Sequence, residues 1–313
     1  MTRRLPDFLV IGVQKSGTTD LCAYLSGHPN VFISDPKELF FFCRDDLDVL
    51  PHTFFERYEE WLAFDWEGDR ERLLDRYARN FEAARADQHC GEGTTVYLPS
   101  RVAARRIEQT LPEARFVAIL RNPVKRAHSA YFHHLKMRRS TETFANHLRY
   151  EQGSTLAFGH YEEQLREWFD RFGRERVHVV LFEEYVRDRR GVANGVLEFL
   201  GLPPMDADAP TRGNSNTAQV PGSPRLQRVL NQALRLYPAR FTTIKYDLEV
   251  ERPLWELALS SSLRGIGALN LRMRSRYGKM DPEMAPRLET YFRRRNAGLA
   301  DLLGRDLSIW GWS

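Results

Sequence analysis

The residues Phe8-Leu9-Val10-Ile11 form a short, unalternated apolar run that breaks at once into Gly12-Val13-Gln14-Lys15-Ser16-Gly17-Thr18-Thr19. Such a run reads as a parallel strand buried on both faces, and Thr18-Thr19-Asp20 reads as a helix start. A strand that enters a helix through glycines offers backbone N–H groups and the positive end of the helix dipole to an anion. Lys15 adds a full charge. A nucleoside triphosphatase loop would end in Gly-Lys-Ser/Thr, but here Thr18 follows Gly17 and the only lysine stands at 15, so this is not a Walker loop. An ordinary strand-turn-helix needs the same glycines, and other segments must decide.

Apolar runs at 114–120 and 176–182 read as two more buried strands, and Val31-Phe32-Ile33 as a shorter one, with helical segments between them. Alternating strands and helices predict an α/β fold, with a central parallel sheet flanked by helices, in a single domain over 1–313. Phe54, Tyr58, Trp61, Leu62, Leu73, Tyr77 and Phe81 recur at roughly helical spacing, which predicts a mainly helical insertion around 45–88 whose aromatic stripe is packing. Residues 201–225, rich in Pro, Gly, Asp and Asn, read as a long loop.

No apolar run is long enough to cross a bilayer, and residues 1–7 enter the first strand without a signal-peptide core, so a soluble cytoplasmic protein is expected. Cys22, Cys43 and Cys90 have no metal-ligand spacing and are odd in number, so they are expected to be reduced and structural, and no metal is expected. Residues 225–295 hold 15 Lys/Arg against 7 Asp/Glu. That excess suits an anionic ligand or a solvated arginine-rich face; no nucleic-acid motif accompanies it.

The second informative block is Arg121-Asn122-Pro123-Val124-Lys125-Arg126-Ala127-His128-Ser129, which follows the strand ending at Leu120. Pro123 suits the first turn of a helix, and Arg121 emerges at the carboxyl end of the strand, where α/β sheets bind ligands. Ser129 lies about two turns along that helix. An arginine fork and a hydroxyl can grip one phosphate monoester between them. The lysine-bearing loop and the Arg121/Ser129 pair together suggest two anion sites at neighbouring strand ends, which suits a nucleotide phosphorylated twice.

These blocks resemble the sulfotransferase family that uses 3′-phosphoadenosine 5′-phosphosulfate (PAPS), nearest to the heparan-sulfate and carbohydrate type and its bacterial relatives. The resemblance implies the P-loop-like sulfotransferase fold over most of the chain. Gln14-Lys15-Ser16-Gly17-Thr18-Thr19 resembles the family's 5′-phosphosulfate loop, and Arg121 with Ser129 its 3′-phosphate pair. His28-Pro29-Asn30-Val31 and Lys37-Glu38-Leu39-Phe40-Phe41-Phe42 resemble its His-Pro-x-Val and Lys-Glu-Pro-His-Phe-Phe segments. The stretch from Arg274 to Met284, carrying Arg274, Arg276 and Lys279, resembles its basic nucleotide-covering loop.

The resemblance implies PAPS as co-substrate, no metal, and a saccharide or small-molecule acceptor. Glu38 is the candidate general base, with partial burial by Phe40 to Phe42 expected to raise its pKa; the plain alternative is a surface salt bridge with Lys37. Lys15 is the candidate stabiliser of the departing phosphate oxygen, or a ground-state phosphate ligand, and the two roles can coexist. Ser16, Gly17, Thr18 and Thr19 complete the cradle. Gly91-Glu92-Gly93-Thr94-Thr95-Val96-Tyr97 resembles a Glu-Lys-Ser/Thr-Pro-x-Tyr segment in which Gly93 and Thr95 replace the lysine and the proline. The missing lysine argues against a heparan-like polyanionic acceptor. Glu92 is either a second acceptor-side carboxylate or a turn residue capping Thr94 or Thr95.

His133 is a candidate acceptor contact, and Tyr161, in a segment resembling the family's Gly-x-Tyr-x-x-x-Leu-x-x-Trp helix, a candidate for the border of the acceptor groove. A small phenolic or other natural-product acceptor, a P-loop phosphotransferase and a non-catalytic nucleotide-binding protein are the alternatives. The phosphotransferase lacks its Gly-Lys-Ser/Thr and a strand-end aspartate for Mg²⁺.

Overall fold

In the computed structural model, which describes residues 3–50, 64–150, 153–206, 220–234, 254–273 and 280–312, five strands form one parallel sheet in the order β2-β3-β1-β4-β5. They are β1 Phe8–Gly12, β2 Val31–Ile33, β3 His89–Gly93, β4 Arg115–Leu120 and β5 Val177–Leu181. The expected strands are present, and β3 is an addition.

β3, His-Cys-Gly-Glu-Gly, has none of the β-branched or aromatic residues that mark a strand, yet it pairs with both β1 and β2. Its place depends on what covers its glycines. A Cβ on Gly91 would lie 2.3 Å from Phe8 Cζ, and one on Gly93 would lie 2.8 Å from Cys22 Sγ and 2.9 Å from Lys37 Cε. Bulk brought from elsewhere in the chain therefore fills this strand's surface.

Glu92, between the two glycines, is fully buried. Its carboxylate accepts from Thr94 Oγ1 at 2.5 Å, from the Tyr97 hydroxyl at 2.9 Å and from the Tyr77 hydroxyl. Burial pushes its pKa up, against the downward pull of those three hydroxyls. Such a carboxylate belongs to the core network. The expectation that Glu92 faces an acceptor is corrected by this position inside a strand; the expected contact with Thr94 is present, the Thr94 hydroxyl donating to a Glu92 that lies within β3 rather than in a turn.

The sheet carries apolar clusters on its two faces. Leu9, Ile11, Phe116 and Val179 join the cluster that holds Trp168, Leu165 and Ile107, while Phe8, Val10, Val117 and Val180 join the one that holds Leu21, Leu25 and Leu197. The alternation along β1 follows from the two-residue period of a strand. The helix Trp66–Ala78 lies in the described part of the insertion, with Asp65 accepting from the Glu67 and Gly68 N–H groups as its N-cap. Tyr77 stacks on Phe41 with centroids 4.2 Å apart, so the aromatic stripe packs here as expected; Phe54, Tyr58, Trp61 and Leu62 lie outside the described residues. The three cysteines are free and buried. Among the described residues no helix is long and apolar enough to cross a membrane.

From β1 the chain moves toward one edge of the sheet, and from β4 toward the other. The carboxyl ends of β1 and β4 therefore flank a topological switch point, the crevice in which open α/β sheets bind ligands. Gly91→Ala should destabilise the fold by about 1–3 kcal/mol by forcing the buried Phe8 ring from its place, read as a lower denaturant midpoint at unchanged m-value.

Candidate active site

The turn after β1 is tight: Ser16 N–H donates to the Val13 carbonyl at 3.2 Å, and Lys15 and Gly17 take φ of +73° and +90°. Glycine suits position 17 twice over, because of that φ and because a Cβ there would lie 3.1 Å from the Phe182 ring. Gly17 is the N-cap of the helix Thr18–Leu25, whose first N–H groups have no acceptor within the helix. Asp20 in this first turn would repel an anion, but it accepts from the Tyr185 hydroxyl and Arg189 Nε, each at 2.6 Å.

Arg121 leaves β4 beside this turn. Its Nη1 donates to the Lys15 carbonyl at 2.9 Å, and its Cζ lies 4.7 Å from the centre of the Phe182 ring. Phe182 follows β5 directly, in register with Arg121 because Leu120 pairs with Leu181. One ring thus backs both Gly17 and the guanidinium. Ser129 is buried on the helix Pro123–Lys136 that starts just after Arg121.

Three polar atoms around the crevice are buried without a hydrogen-bond partner: Gln14 Oε1, Ser16 Oγ and Arg121 Nε. Lys15 is pushed down to about 8, first by burial and then by the charges of Lys136 and Arg121. His133 is pushed down to about 3 by burial and then by Lys15, so its imidazole is neutral beside that amine. The Ser16 hydroxyl and Arg121 Nε are donors, and unpartnered donors beside cations that repel one another are what a docked phosphate relieves; Gln14 Oε1, an acceptor, takes no part in this. These residues fit a phosphorylated ligand.

At the carboxyl ends of β2 and β3 stands Glu38, in a left-handed conformation with φ +65°. Its N–H donates to the Gly93 carbonyl at 3.0 Å. The carboxylate is held on both sides, Oε1 by Lys37 Nζ at 2.6 Å and Oε2 by the Thr95 N–H at 3.0 Å and hydroxyl at 3.2 Å. Burial works against the charge on Lys37, and the Glu38 carboxylate, with Cys22 and Glu92, more than offsets it, so the Lys37 pKa is raised. A half-buried ion pair of fixed orientation results, aimed by a strained backbone of the kind that gathers at functional sites.

Lys15, Ser16, Gly17, Thr18, Arg121 and His133 thus gather at the ends of β1 and β4, with Thr19 exposed at the helix start and Glu38 toward the β2 edge. Tyr161 is corrected: it is fully buried, and its hydroxyl donates to the Arg121 carbonyl at 2.7 Å, so it supports the strand end and does not border a groove. Arg274, Arg276 and Lys279 lie outside the described residues. Sequence reading misses the roles of Phe182 and Glu183: it takes Phe182 as the last residue of the strand at 176–182, but β5 ends at Leu181 and Phe182 leaves it just as Arg121 leaves β4. The ion pair of Glu38 with Lys37, the plain alternative to a catalytic role for that carboxylate, is present.

The family model described as "Sulfotransferase family" matches residues 6–207. Human heparan sulfate glucosamine 3-O-sulfotransferase 6 is 31% identical over 207 residues, covering 64% of this chain and 53% of that protein. The human bifunctional heparan sulfate N-deacetylase/N-sulfotransferase 2 is 27% identical over 216 residues, covering 64% of this chain and 22% of that protein. The chain spans about half the length of the 3-O-sulfotransferase relatives it matches. A solved sulfotransferase from Alicyclobacillus acidocaldarius superposes with a TM-score of 0.62 at 26% identity, covering 99% of this chain and 100% of that one. The strand-end anion crevice, the sheet that forms it and the family match over 6–207 agree: the chain belongs to the sulfotransferase family.

Proposed function

We propose that this protein transfers the sulfuryl group of PAPS to a hydroxyl or amine of a carbohydrate or glycosylated metabolite. The observation that carries the reading is the pair of cations at adjacent strand ends, Lys15 and Arg121, with the unpartnered buried donors Ser16 Oγ and Arg121 Nε beside them. The 5′ side of the nucleotide is assigned to Lys15, Ser16, Gly17, Thr18 and Thr19, and the 3′-phosphate to Arg121 and Ser129, with Arg274, Arg276 and Lys279 as the covering cations. A saccharide acceptor is supported by the names of the heparan sulfate relatives.

PAPS supplies an activated sulfur, and this chain's own groups do the rest. Glu38 takes the acceptor's proton as the new S–O or S–N bond forms, and Lys15 stabilises the charge that collects on the phosphate oxygen as the old S–O bond breaks. Lys37 and Thr95 fix the plane of the Glu38 carboxylate, which orients the base before the acceptor arrives. His133, neutral beside Lys15, is available to the acceptor as a hydrogen-bond partner. None of these roles calls for a metal.

Titration with 3′-phosphoadenosine 5′-phosphate (PAP) should give saturable heat where ATP with Mg²⁺ gives little. Glu38→Gln should keep PAP affinity within about twofold and lower turnover by about 10²–10⁴-fold; turnover at the wild-type rate would remove Glu38 as the base. A screen of saccharide and phenolic acceptors with labelled donor separates the two acceptor readings.

The amine of Lys15 is charged below about 8 and neutral above it. PAP affinity should therefore fall as pH rises through that value, and binding there should take up a proton, seen as a dependence of the calorimetric heat on buffer ionisation enthalpy. Lys15→Arg should flatten that pH profile, because guanidinium stays charged.

A further inference from the structure

The Arg121–Asn122 peptide is held at both of its polar ends. Its carbonyl accepts from the Tyr161 hydroxyl at 2.7 Å, and its N–H donates to Glu183 Oε1 at 3.1 Å. The other oxygen of the same carboxylate, Glu183 Oε2, accepts from the Trp310 indole Nε1 at 2.8 Å. Asn122 closes the ring by donating its Nδ2 to the Trp310 carbonyl at 3.1 Å, while its Oδ1 accepts from the Val124 and Lys125 N–H groups. Tyr161 and Trp310 pack with ring centroids 6.0 Å apart.

This arrangement matters because a single residue separates β4 from the helix cap. Leu120 ends the strand and Asn122 caps the next helix, so the tilt of the one peptide between Arg121 and Asn122 sets where the Arg121 side chain leaves the sheet. A carboxylate beside an anion site is unfavourable in itself. Glu183 is tolerated there because both of its oxygens are engaged by N–H donors, and two engaged oxygens give it one orientation. Trp310 lies in the C-terminal segment, beyond the residues matched by the family model.

We infer that Glu183 is a positioning residue for the nucleotide: with Tyr161 it fixes the Arg121–Asn122 peptide, and Trp310 locks Glu183 in that pose, so the C-terminal segment aims the guanidinium. The inference rests on the proposed nucleotide site. It assigns to Glu183, Tyr161 and Trp310 an effect on binding that passes through Arg121 alone.

The test is PAP affinity by calorimetry and steady-state kinetics on Glu183→Gln, Tyr161→Phe and Trp310→Phe, with Arg121→Ala as reference. A glutamine can satisfy the Asn122 N–H or the indole N–H, and its amide then faces the other donor. Each of the three variants should weaken PAP binding about tenfold and raise the KM for PAPS in parallel, with kcat at saturating PAPS nearly unchanged. Placed on an Arg121→Ala background, Glu183→Gln should have no further effect on PAP affinity. Tyr161→Phe removes one donor and keeps the ring, and Trp310→Phe removes the indole donor and leaves a smaller aromatic ring, so they carry the test if Glu183→Gln fails to fold.

Unchanged PAP affinity in Tyr161→Phe and Trp310→Phe, with Arg121→Ala still impaired, would overturn the positioning role and leave the nucleotide site standing. A fall in kcat equal to the loss in kcat/KM would overturn it as well. Unchanged PAP affinity in Arg121→Ala would remove the nucleotide site itself.

Discussion

The hydrogen bond from Arg121 to the Lys15 carbonyl joins the ends of two strands into one site. The backbone already ties the turn to β4 through the Val13 N–H and the Ile119 carbonyl, and the Arg121 bond adds the guanidinium to that junction. The bond uses one donor of the guanidinium, leaves Nε buried without a partner, and holds Lys15 in a left-handed conformation where its ammonium shares the crevice. Two like charges are thereby kept in a partly desolvated space, and the depressed pKa of Lys15 records burial first and then the repulsion of Lys136 and Arg121. A site of this kind is poor in internal partners and receptive to an anion.

The carboxylates around the crevice follow a consistent pattern. Asp20 is taken by Tyr185 and Arg189, Glu183 by Asn122 and Trp310, and Glu38 by Lys37 and Thr95. Asp20 and Glu183 would each oppose a bound phosphate if free, and each is engaged by donors that lie outside the cradle. The cradle's own cations keep their charge uncompensated. Only Glu38 stands on the far side, at the ends of β2 and β3, where a carboxylate can meet an acceptor without facing a phosphate first.

Much of this was legible in the sequence, for a physical reason: strands β1, β4 and β5 are buried on both faces and show as unbroken apolar runs, and the polar residues that leave their ends stand next to them in the chain. β3 was not legible. Its glycines and its glutamate are compatible with a central strand only because Phe8, Lys37, Tyr77 and Tyr97, spread over nearly ninety positions of sequence, fill and satisfy it. Tyr161 was placed at a groove border for the same kind of reason. The partner of its hydroxyl is a backbone carbonyl forty residues earlier in the chain, and no local pattern reports such a bond.

Gly93 shows how a departure from a family pattern acquires a structural meaning. Where the resembling segment carries a lysine, this chain has a hydrogen atom, and the space a Cβ would enter is taken by the Lys37 stem and the Cys22 sulfur. Lys37, running over Gly93, brings its ammonium to Glu38 Oε1. A side chain at 93 and this course of Lys37 exclude each other, since the Cβ would stand 2.9 Å from Lys37 Cε. The cation beside the candidate base therefore comes from its own chain neighbour, and it is spent on orienting that base. On its β3 side Glu38 thus presents an ion pair already closed on itself, and the Lys37 ammonium is not left over for a further carboxylate or sulfate.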